Sequence, residues 1–289
     1  MKKIFLFFLA ATCFIISCTK VDDPPGISKL DVQGATDTVI VPYNTIIQYS
    51  AYPAGIFSLS KPEAGVVDVF GKFKSDSAEG TYKLIVVNAR DISDTVVRTI
   101  IVSKHASLFN NMKLVGGYLM SFRHADASRG VDQTTNTSLN WWKSCDPAFA
   151  RQITDPIGYK QSDSTGYAMR LLKLSFDTTM TSEFCRCKQT AQYFNLGVPN
   201  KEYSELTYFV YGQEATRYSN TMNLYAKKPM TTKNYLAVTH AGFAVVPANA
   251  PLSTLNWGDC AVFKINPNGA QPTFVETVPL TDWLALARR

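Results

Sequence analysis

Three histidines, His105, His124 and His240, are the first candidates for acid–base or nucleophilic chemistry in this sequence. His124 is followed by Ala125 and Asp126, and a nearby carboxylate can orient an imidazole as a base. No Gly-x-Ser-x-Gly elbow, His-Glu-x-x-His helix or phosphate-cradling glycine loop is present in the sequence. The pattern therefore favours a surface hydrogen-bonded pair, and it predicts a protein that is not an enzyme and has no cofactor or metal.

Carboxylates are the second class of catalytic candidate. Two of them facing each other about 5–10 Å apart would support glycoside hydrolysis. The candidates are Glu183, Glu202, Glu205 and Glu214. Each also fits an ordinary solvated acid, so a hydrolase remains a third hypothesis.

Four cysteines, Cys145, Cys185, Cys187 and Cys260, lie beyond the N-terminal region. An even number in an exported protein predicts two disulfides, with three possible connectivities. On a strand, Cys185 and Cys187 would share one face and reach neighbouring strands. Buried free thiols are one alternative. A four-cysteine zinc site is another, although the usual two-residue gap between paired ligands is absent.

Tryptophans next to polar residues point to binding. Trp141 and Trp142 follow a Thr- and Asn-rich loop, and Trp257 is followed by Gly258 and Asp259. Adjacent strand residues point to opposite faces, so one indole of the pair is expected in a groove. An exposed indole can stack on a sugar ring, and the Asp259 carboxylate can bind hydroxyl groups. Burial of all three rings in small cores under long loops is the alternative interpretation.

The elements that carry these residues are predicted to be strands. Between residues 29 and 104, runs rich in Val, Ile, Thr and Tyr alternate with Pro, Gly, Asn and Asp about every ten residues. The predicted strands are Thr38–Val41, Thr45–Tyr52, Ile56–Ser60, Val66–Phe70, Thr81–Asn88 and Thr95–Val102.

The run from Glu79 to Leu84 resembles the start of strand F in bacterial Ig-like (cadherin-like) domains. The resemblance implies that Tyr82 hydrogen-bonds back across the corner and that Leu84 occupies a core position. It also implies an N-terminal Ig-like β-sandwich over residues 29–104.

Residues 105–289 again appear mostly β, with long polar loops between the strands. The predicted strands are Lys113–Phe122, Ala168–Phe176, Leu206–Tyr211, Met222–Ala226, Tyr235–His240, Ala261–Ile265 and Thr273–Val278. Asn266 to Gly269 predicts a hairpin turn, and only Thr281–Arg289 is predicted to be helical. The predicted fold class is all-β, an Ig-like β-sandwich followed by a larger jelly-roll-like β-sandwich with long loops.

The N-terminus predicts export and anchoring. Two lysines precede the apolar run from Ile4 to Ile16, which is shorter than the roughly 20 residues of a spanning helix. The run ends in Ile15-Ile16-Ser17-Cys18, which resembles the lipobox of Bacteroidota-type surface lipoproteins. The resemblance implies that residues 1–17 are a signal peptide and that Cys18 carries the acyl groups. Residues 18–28 would be a flexible tether, on the periplasmic or cell-surface face of the outer membrane.

Net charge and one tripeptide pattern also bear on function. Removal of the first 17 residues would lower the formal charge from +6 to +4, with no basic run, which argues against nucleic-acid binding. Asp followed by Ser or Thr and a small or apolar residue resembles an O-glycosylation acceptor of exported Bacteroidota proteins. The candidate sites are Thr38, Ser77, Thr95, Ser164 and Thr178.

Taken together, these features predict a lipid-anchored, non-catalytic protein whose C-terminal β-sandwich binds glycan. An adhesin or surface-assembly subunit that binds protein is the alternative. Its partners would be the membrane, through the anchor, and a polysaccharide or a surface protein.

Overall fold

The computed structural model describes residues 29–61, 65–136, 140–243, 246–247 and 250–288. No helix in these ranges is long and apolar enough to cross a membrane. The helices are α1 (Ala106–Leu114), α2 (Ile157–Leu171), α3 (Cys185–Phe194), α4 (Arg217–Ala226) and α5 (Leu280–Leu286). The strands are β1 (Asp31–Gln33), β2 (Thr38–Val41), β3 (Ile46–Gln48), β4 (Ser50–Tyr52), β5 (Gly55–Leu59), β6 (Gly65–Val67), β7 (Lys72–Ser75), β8 (Gly80–Asn88), β9 (Asp91–Val102), β10 (Tyr118–Arg123), β11 (Phe176–Thr181), β12 (Asn200–Glu202), β13 (Asn234–Thr239), β14 (Cys260–Lys264) and β15 (Thr273–Val278).

The first nine strands form small sheets around one apolar cluster. Their orders are β2-β9-β8-β5, β3-β7-β6 and β1-β4. Along β8 the buried side chains alternate with less buried ones, as expected for a strand with one face on a core. Tyr49, Phe73 and Leu84 are fully buried there. The Tyr82 hydroxyl donates to the carbonyl of Ala78 at 3.2 Å, the contact that the corner pattern predicted.

The second part of the chain is built on a six-stranded mixed sheet in the order β12-β11-β13-β10-β14-β15. The first four of these strands are parallel, β14 pairs antiparallel with β10, and β15 pairs antiparallel with β14. Met120 and Phe122 of β10 pack with α1, α2, α3 and α5 on one face. Leu119 packs with α4 on the other face. Both faces are therefore buried, which is the usual environment of parallel strands.

The all-β prediction is wrong, because five helices cover this mixed sheet in the described part of the chain. The clearest miss is α2, whose buried face combines two apolar residues near its C-terminal end with the small residues Gly158, Ser162, Thr165 and Gly166. A Cβ at Gly166 would lie 2.0 Å from the carbonyl oxygen of Phe194. The close approach of α2 to α3 thus requires residues that resemble a polar loop in the sequence.

Two other segments predicted as strands are also helical. The predicted strand Met222–Ala226 lies inside α4, and Cys185–Cys187 begins α3 rather than lying on a strand. The later strands were predicted well: β13, β14 and β15 match within one residue at each end. The predicted turn joins β14 to β15, with Asn268 and Gly269 at φ values of 60° and 72°.

The two parts of the chain meet through apolar and polar contacts. Ile40 and Ile101 of the first part belong to the same buried cluster as Phe109 of α1. The Thr81 hydroxyl donates to the carbonyl of Leu286 at 2.8 Å.

Candidate functional site

A cleft opens at the carboxyl ends of the parallel strands β10, β11 and β13. In open α/β sheets, ligands bind in the crevice outside these strand ends. His124 directly follows β10, His240 directly follows β13, and Arg186 lies in the first turn of α3, which begins four residues after β11. Topology alone therefore brings together three residues that are far apart in the sequence.

The cleft has a volume of about 310 Å³. Its wall is formed by Arg123, His124, Ala127, Asp132, Arg151, Arg186, Tyr208, His240, Ala241 and Trp257. Three guanidinium groups face one carboxylate, so the wall is strongly positive.

The His124 ring is fixed at both nitrogens. Its Nδ1 lies 2.8 Å from the carbonyl oxygen of Ala125, an acceptor, so this nitrogen carries the proton. Its Nε2 then presents a lone pair, and Arg186 Nε donates to it at 3.2 Å. The backbone is held as well: Ala125 N donates to the hydroxyl of Thr190, which in turn donates to the carbonyl of Arg186. The loop after β10 and helix α3 therefore position the imidazole together.

Arg186 is itself almost completely buried. Its Nη1 donates to both carboxylate oxygens of Asp132, at 3.0 and 3.2 Å, and its guanidinium lies 4.2 Å from the centre of the Phe184 ring. Asp132 also accepts from the backbone N–H of Arg151 at 3.0 Å. A charge-assisted pair of this kind fixes the direction of a guanidinium.

His240 packs against His124. The two ring centroids lie 5.2 Å apart in an edge-to-face arrangement. His240 Nε2 is 2.9 Å from the Ser182 hydroxyl and 3.5 Å from the Cys187 thiol. The ring therefore forms part of the cleft wall and is anchored to the segment that leads into α3.

Both cleft histidines are neutral. Burial lowers the pKa of His124 well below 6.5, and the Arg186 charge lowers it further, with smaller effects from Arg123 and Arg151. Burial likewise lowers the pKa of His240 well below 6.5, assisted by the Arg186 guanidinium. A neutral imidazole has a free lone pair, which makes it a potential nucleophile near neutral pH.

Two further arginines border this site. Arg123 donates from Nη1 to the carbonyl of Leu255 and lies 5.6 Å from the centre of the Trp257 ring. Arg217 is fully buried behind the cleft, 4.6 Å from the centre of the Tyr208 ring, and donates to the carbonyl of Gly242.

Glu183 is close in sequence to Arg186 but is not among the residues of the cleft wall. Its carboxylate accepts from the Trp142 indole at 3.0 Å and from the Tyr211 hydroxyl, and it pairs with Lys143 at 3.0 Å. Burial opposes ionisation, but these three groups lower its pKa overall. Glu183 is thus a paired carboxylate that organises the loop above α3. Glu202 is paired with Lys188 and Glu214 with Arg217, while Glu205 is half-buried.

The structure separates the predicted tryptophans. Trp141 is buried and Trp142 half-buried in a small aromatic cluster with Phe184. Only Trp257 lines the cleft. Asp259 is buried and accepts from the backbone N–H groups of Asn256 and Leu280, so its oxygens are not offered to a sugar.

Among the described residues, one disulfide forms where two were predicted. It joins Cys145 to Cys185, whereas Cys187 and Cys260 are buried free thiols. The cause is α3, because residues two apart on a helix do not share a face. Cys185 faces the loop that carries Cys145, and Cys187 packs into the core under the sheet.

The proposed modification sites differ in exposure. Ser77 and Thr95 are exposed, and Thr38 and Ser164 are half-buried. Thr178 is buried, and its hydroxyl donates to the carbonyl of Pro199. Cys18 lies outside the described residues.

Sequence reasoning singled out His124 but missed its partners. Arg186, Asp132, Arg151 and Tyr208 carry no recognisable spacing relative to His124. The available signal was positional, since polar residues directly follow β10, β11 and β13. That signal becomes informative only once these strands are known to be parallel.

No protein-family model matches this sequence, and no curated protein matches it significantly. Solved structures do show similarity. The protein histidine phosphatase SixA complexed with tungstate has a TM-score of 0.39 and 16% identity, over 57% of this chain and 98% of that chain. A phosphoserine phosphatase from Entamoeba histolytica in complex with 3-phosphoglyceric acid has a TM-score of 0.35 and 12% identity, over 58% and 99%. The alpha-ribazole phosphatase from Shigella flexneri has a TM-score of 0.34 and 16% identity, over 55% and 94%.

The predicted resemblance to Ig-like surface lipoproteins is corrected, because most of the described chain after residue 104 is a mixed sheet covered by helices. The prediction of a non-catalytic, glycan-binding β-sandwich is wrong as well. The described sheet is mixed and covered by helices, and Trp257 borders a cleft of arginines and neutral histidines rather than a sugar-binding groove.

Proposed function

We propose that this protein is a phosphatase that hydrolyses phosphate monoesters through a phosphorylated His124. The observation that carries the proposal is the His124 ring, whose Nδ1 faces the Ala125 carbonyl while Nε2 lies in an arginine-lined cleft. For this chain the proposal rests on that geometry, since the activities of the similar structures belong to those proteins.

Substrate binding follows from the charge of the wall. A phosphoryl group carries up to two negative charges, and guanidinium groups bind its oxygens with paired hydrogen bonds. Arg186 and Arg123 flank His124 and would hold these oxygens. Arg186 then exchanges its hydrogen bond to His124 Nε2 for one to the substrate, which frees the lone pair for attack.

In the first step, His124 Nε2 attacks phosphorus as the bond from phosphorus to the ester oxygen breaks. The electron pair of that bond goes to the departing oxygen, which takes a proton and leaves as an alcohol. The Nδ1–H bond to the Ala125 carbonyl stabilises the ring as it becomes positively charged. Charge on the transferring group is stabilised by the fixed guanidinium groups, a contribution usually worth about 10²–10³ in rate for each donor.

In the second step, water attacks the phosphorylated histidine. The bond from phosphorus to nitrogen breaks, its electrons return to Nε2, and inorganic phosphate leaves with the proton balance restored by solvent. His240 lines the same cleft in its neutral form, and its Nδ1 is the nitrogen proposed to accept a hydrogen bond from that water, because its Nε2 is paired with Ser182.

The direct test is hydrolysis of phenyl phosphate, measured as inorganic phosphate release by the wild-type protein and by His124→Gln. The wild type is expected to turn over, and the variant to lose at least about a thousandfold in kcat. Retained thermal stability in His124→Gln would show that the loss is chemical. Wild-type activity matched by the variant would refute the proposal.

Anchoring is a separate proposal. We propose that Cys18 is acylated and holds the protein at the outer membrane, because residues 1–17 have the pattern of a lipoprotein signal peptide. Cys18→Ala should abolish incorporation of labelled fatty acid and release the protein from the membrane fraction. Tight association of this variant with membranes would contradict anchoring at Cys18.

A further inference from the structure

Arg151 is the one guanidinium of the cleft wall without a side-chain partner among the described residues. Arg186 is paired with Asp132, and Arg123 bonds the carbonyl of Leu255 and stacks near Trp257. Arg151 is exposed, lines the cleft and contributes to the charge that lowers the pKa of His124. The Arg151 guanidinium is therefore available to bind a negatively charged group of a ligand.

The backbone of Arg151 is held in place. Its N–H donates to Asp132 Oδ1, and the next residue, Gln152, forms a bridge with Arg129. The Arg151 side chain therefore projects from a fixed point at the rim.

The cleft is also larger than a phosphoryl group alone would fill. Its volume of about 310 Å³ leaves room for an organic leaving group beside Tyr208 and Trp257. The two aromatic side chains offer flat apolar surface to that group. Arg151 lies on the same wall and supplies a positive charge.

Resting on the proposed phosphatase function, we infer that Arg151 is a specificity-determining residue that selects phosphate esters whose leaving group carries a second negative charge, such as a carboxylate. Because Arg151 is exposed at the rim whereas His124 and Arg186 are buried, we expect its contact to fall on the leaving group rather than on the transferring phosphoryl group. It is formed equally in the ground state and the transition state, so it acts mainly on KM.

The test compares phenyl phosphate with 4-carboxyphenyl phosphate, which differ by a single carboxylate. Both are assayed with the wild type, Arg151→Gln and Arg151→Lys. Arg129→Gln is the matched control, because Arg129 is an exposed arginine of the same loop that does not line the cleft. It removes the same charge from the same region.

We expect the ratio of kcat/KM for the carboxylated over the plain substrate to fall about tenfold in Arg151→Gln, mainly through KM. Arg151→Lys should retain part of the preference, and Arg129→Gln should keep the wild-type ratio. An equal loss on both substrates, or the same change in Arg129→Gln, would overturn the inference while leaving the phosphatase proposal intact. Failure of the wild type to hydrolyse either ester would overturn the phosphatase proposal and the inference with it.

Discussion

Two buried histidines of this protein lie in opposite electrostatic environments. His124 is surrounded by arginine side chains at the carboxyl ends of the parallel strands. His105, at the start of α1, lies between carboxylates: its Nδ1 is 2.8 Å from Glu276 and its Nε2 is 3.0 Å from Asp282. The same side chain is thus placed once in a positive cleft and once in a negative junction.

The partners of the two rings decide what each ring can do. Both nitrogens of His105 are occupied by carboxylates, and Lys104 pairs with Asp282 at 2.9 Å, so this cluster joins α1 to α5 and β15. Glu79, His105 and Asp282 are close enough to hold a metal ion, but the Lys104 ammonium already supplies a positive charge to Asp282. His124 instead has one nitrogen facing a cleft. Reactivity therefore depends on what surrounds the histidine rather than on its burial.

Replacement of each histidine by glutamine should give the largest difference in activity between the two regions. His124→Gln is expected to lower kcat by at least about a thousandfold, because the nucleophile is lost. His105→Gln should leave kcat/KM near the wild-type value and lower the thermal stability, because it breaks a buried bonded cluster. Steady-state kinetics and thermal unfolding of both variants would check this. Loss of activity in both variants at equal stability would contradict the contrast.

Substitution of one cation in each region should give the next largest difference in activity. Arg186→Gln should lower kcat/KM by about 10²–10³, as removal of a fixed donor to the transition state usually does. Lys104 is half exposed, so Lys104→Gln should cost less than about 1 kcal/mol of folding free energy and leave activity unchanged. Chemical denaturation and phenyl phosphate kinetics separate these effects. A comparable activity loss in Lys104→Gln would show that the junction is coupled to the cleft.

A tryptophan in each region allows a comparison of stability. Trp283 of α5 is fully buried beside Phe109 and Phe122, whereas Trp257 is half-buried in the cleft wall. Trp283→Ala should therefore cost about 3–5 kcal/mol, because it leaves a large cavity. Trp257→Ala should cost clearly less and should raise KM for phenyl phosphate. Equal destabilisation, measured by urea unfolding, would show that Trp257 is a core residue.

The stability of the protein should also depend on pH through the two cleft histidines. The pKa values of His124 and His240 are below 6.5 in the folded protein, so the unfolded chain binds more protons than the folded chain below pH 6.5. The free energy of unfolding should therefore fall as the pH drops from 6.5, by up to about 1.4 kcal/mol per pH unit for each histidine. Urea unfolding between pH 7 and 5 should show that the free energy of unfolding depends less steeply on pH in the His124→Gln, His240→Gln double variant. An unchanged slope would mean that these rings are not buried in the neutral form.

Some of this fold was readable from the sequence for clear physical reasons. β13, β14 and β15 are short runs rich in β-branched and aromatic residues, and Asn268-Gly269 marks the turn between the last two. Helix α2 was not predicted, because Gly, Ser and Thr residues occupy most of its buried face and Gly166 lies against the backbone of α3. Periodicity arguments depend on a continuous apolar stripe, and small residues interrupt that stripe here.

Less of the candidate site than of the fold could be predicted from the sequence. His124 was visible as a candidate, but a nucleophile needs partners, and Arg186 and His240 reach it only through the parallel pairing of β10 and β11 with β13. The prediction of strands rather than helices between β10 and β13 hid that pairing. Once α2 and α3 are known to be helices, the crossover connections make the strands parallel and place all three residues at one edge of the sheet.

Trapping of the phosphorylated enzyme would show directly whether His124 is the nucleophile. The wild type would be mixed with phenyl phosphate, quenched in alkali, in which phosphohistidine survives, and digested for mass spectrometry. We predict one added phosphoryl group on the peptide that contains His124, absent from His124→Gln. Hydrolysis without any labelled histidine, or a label on His240 or His105 instead, would contradict the account.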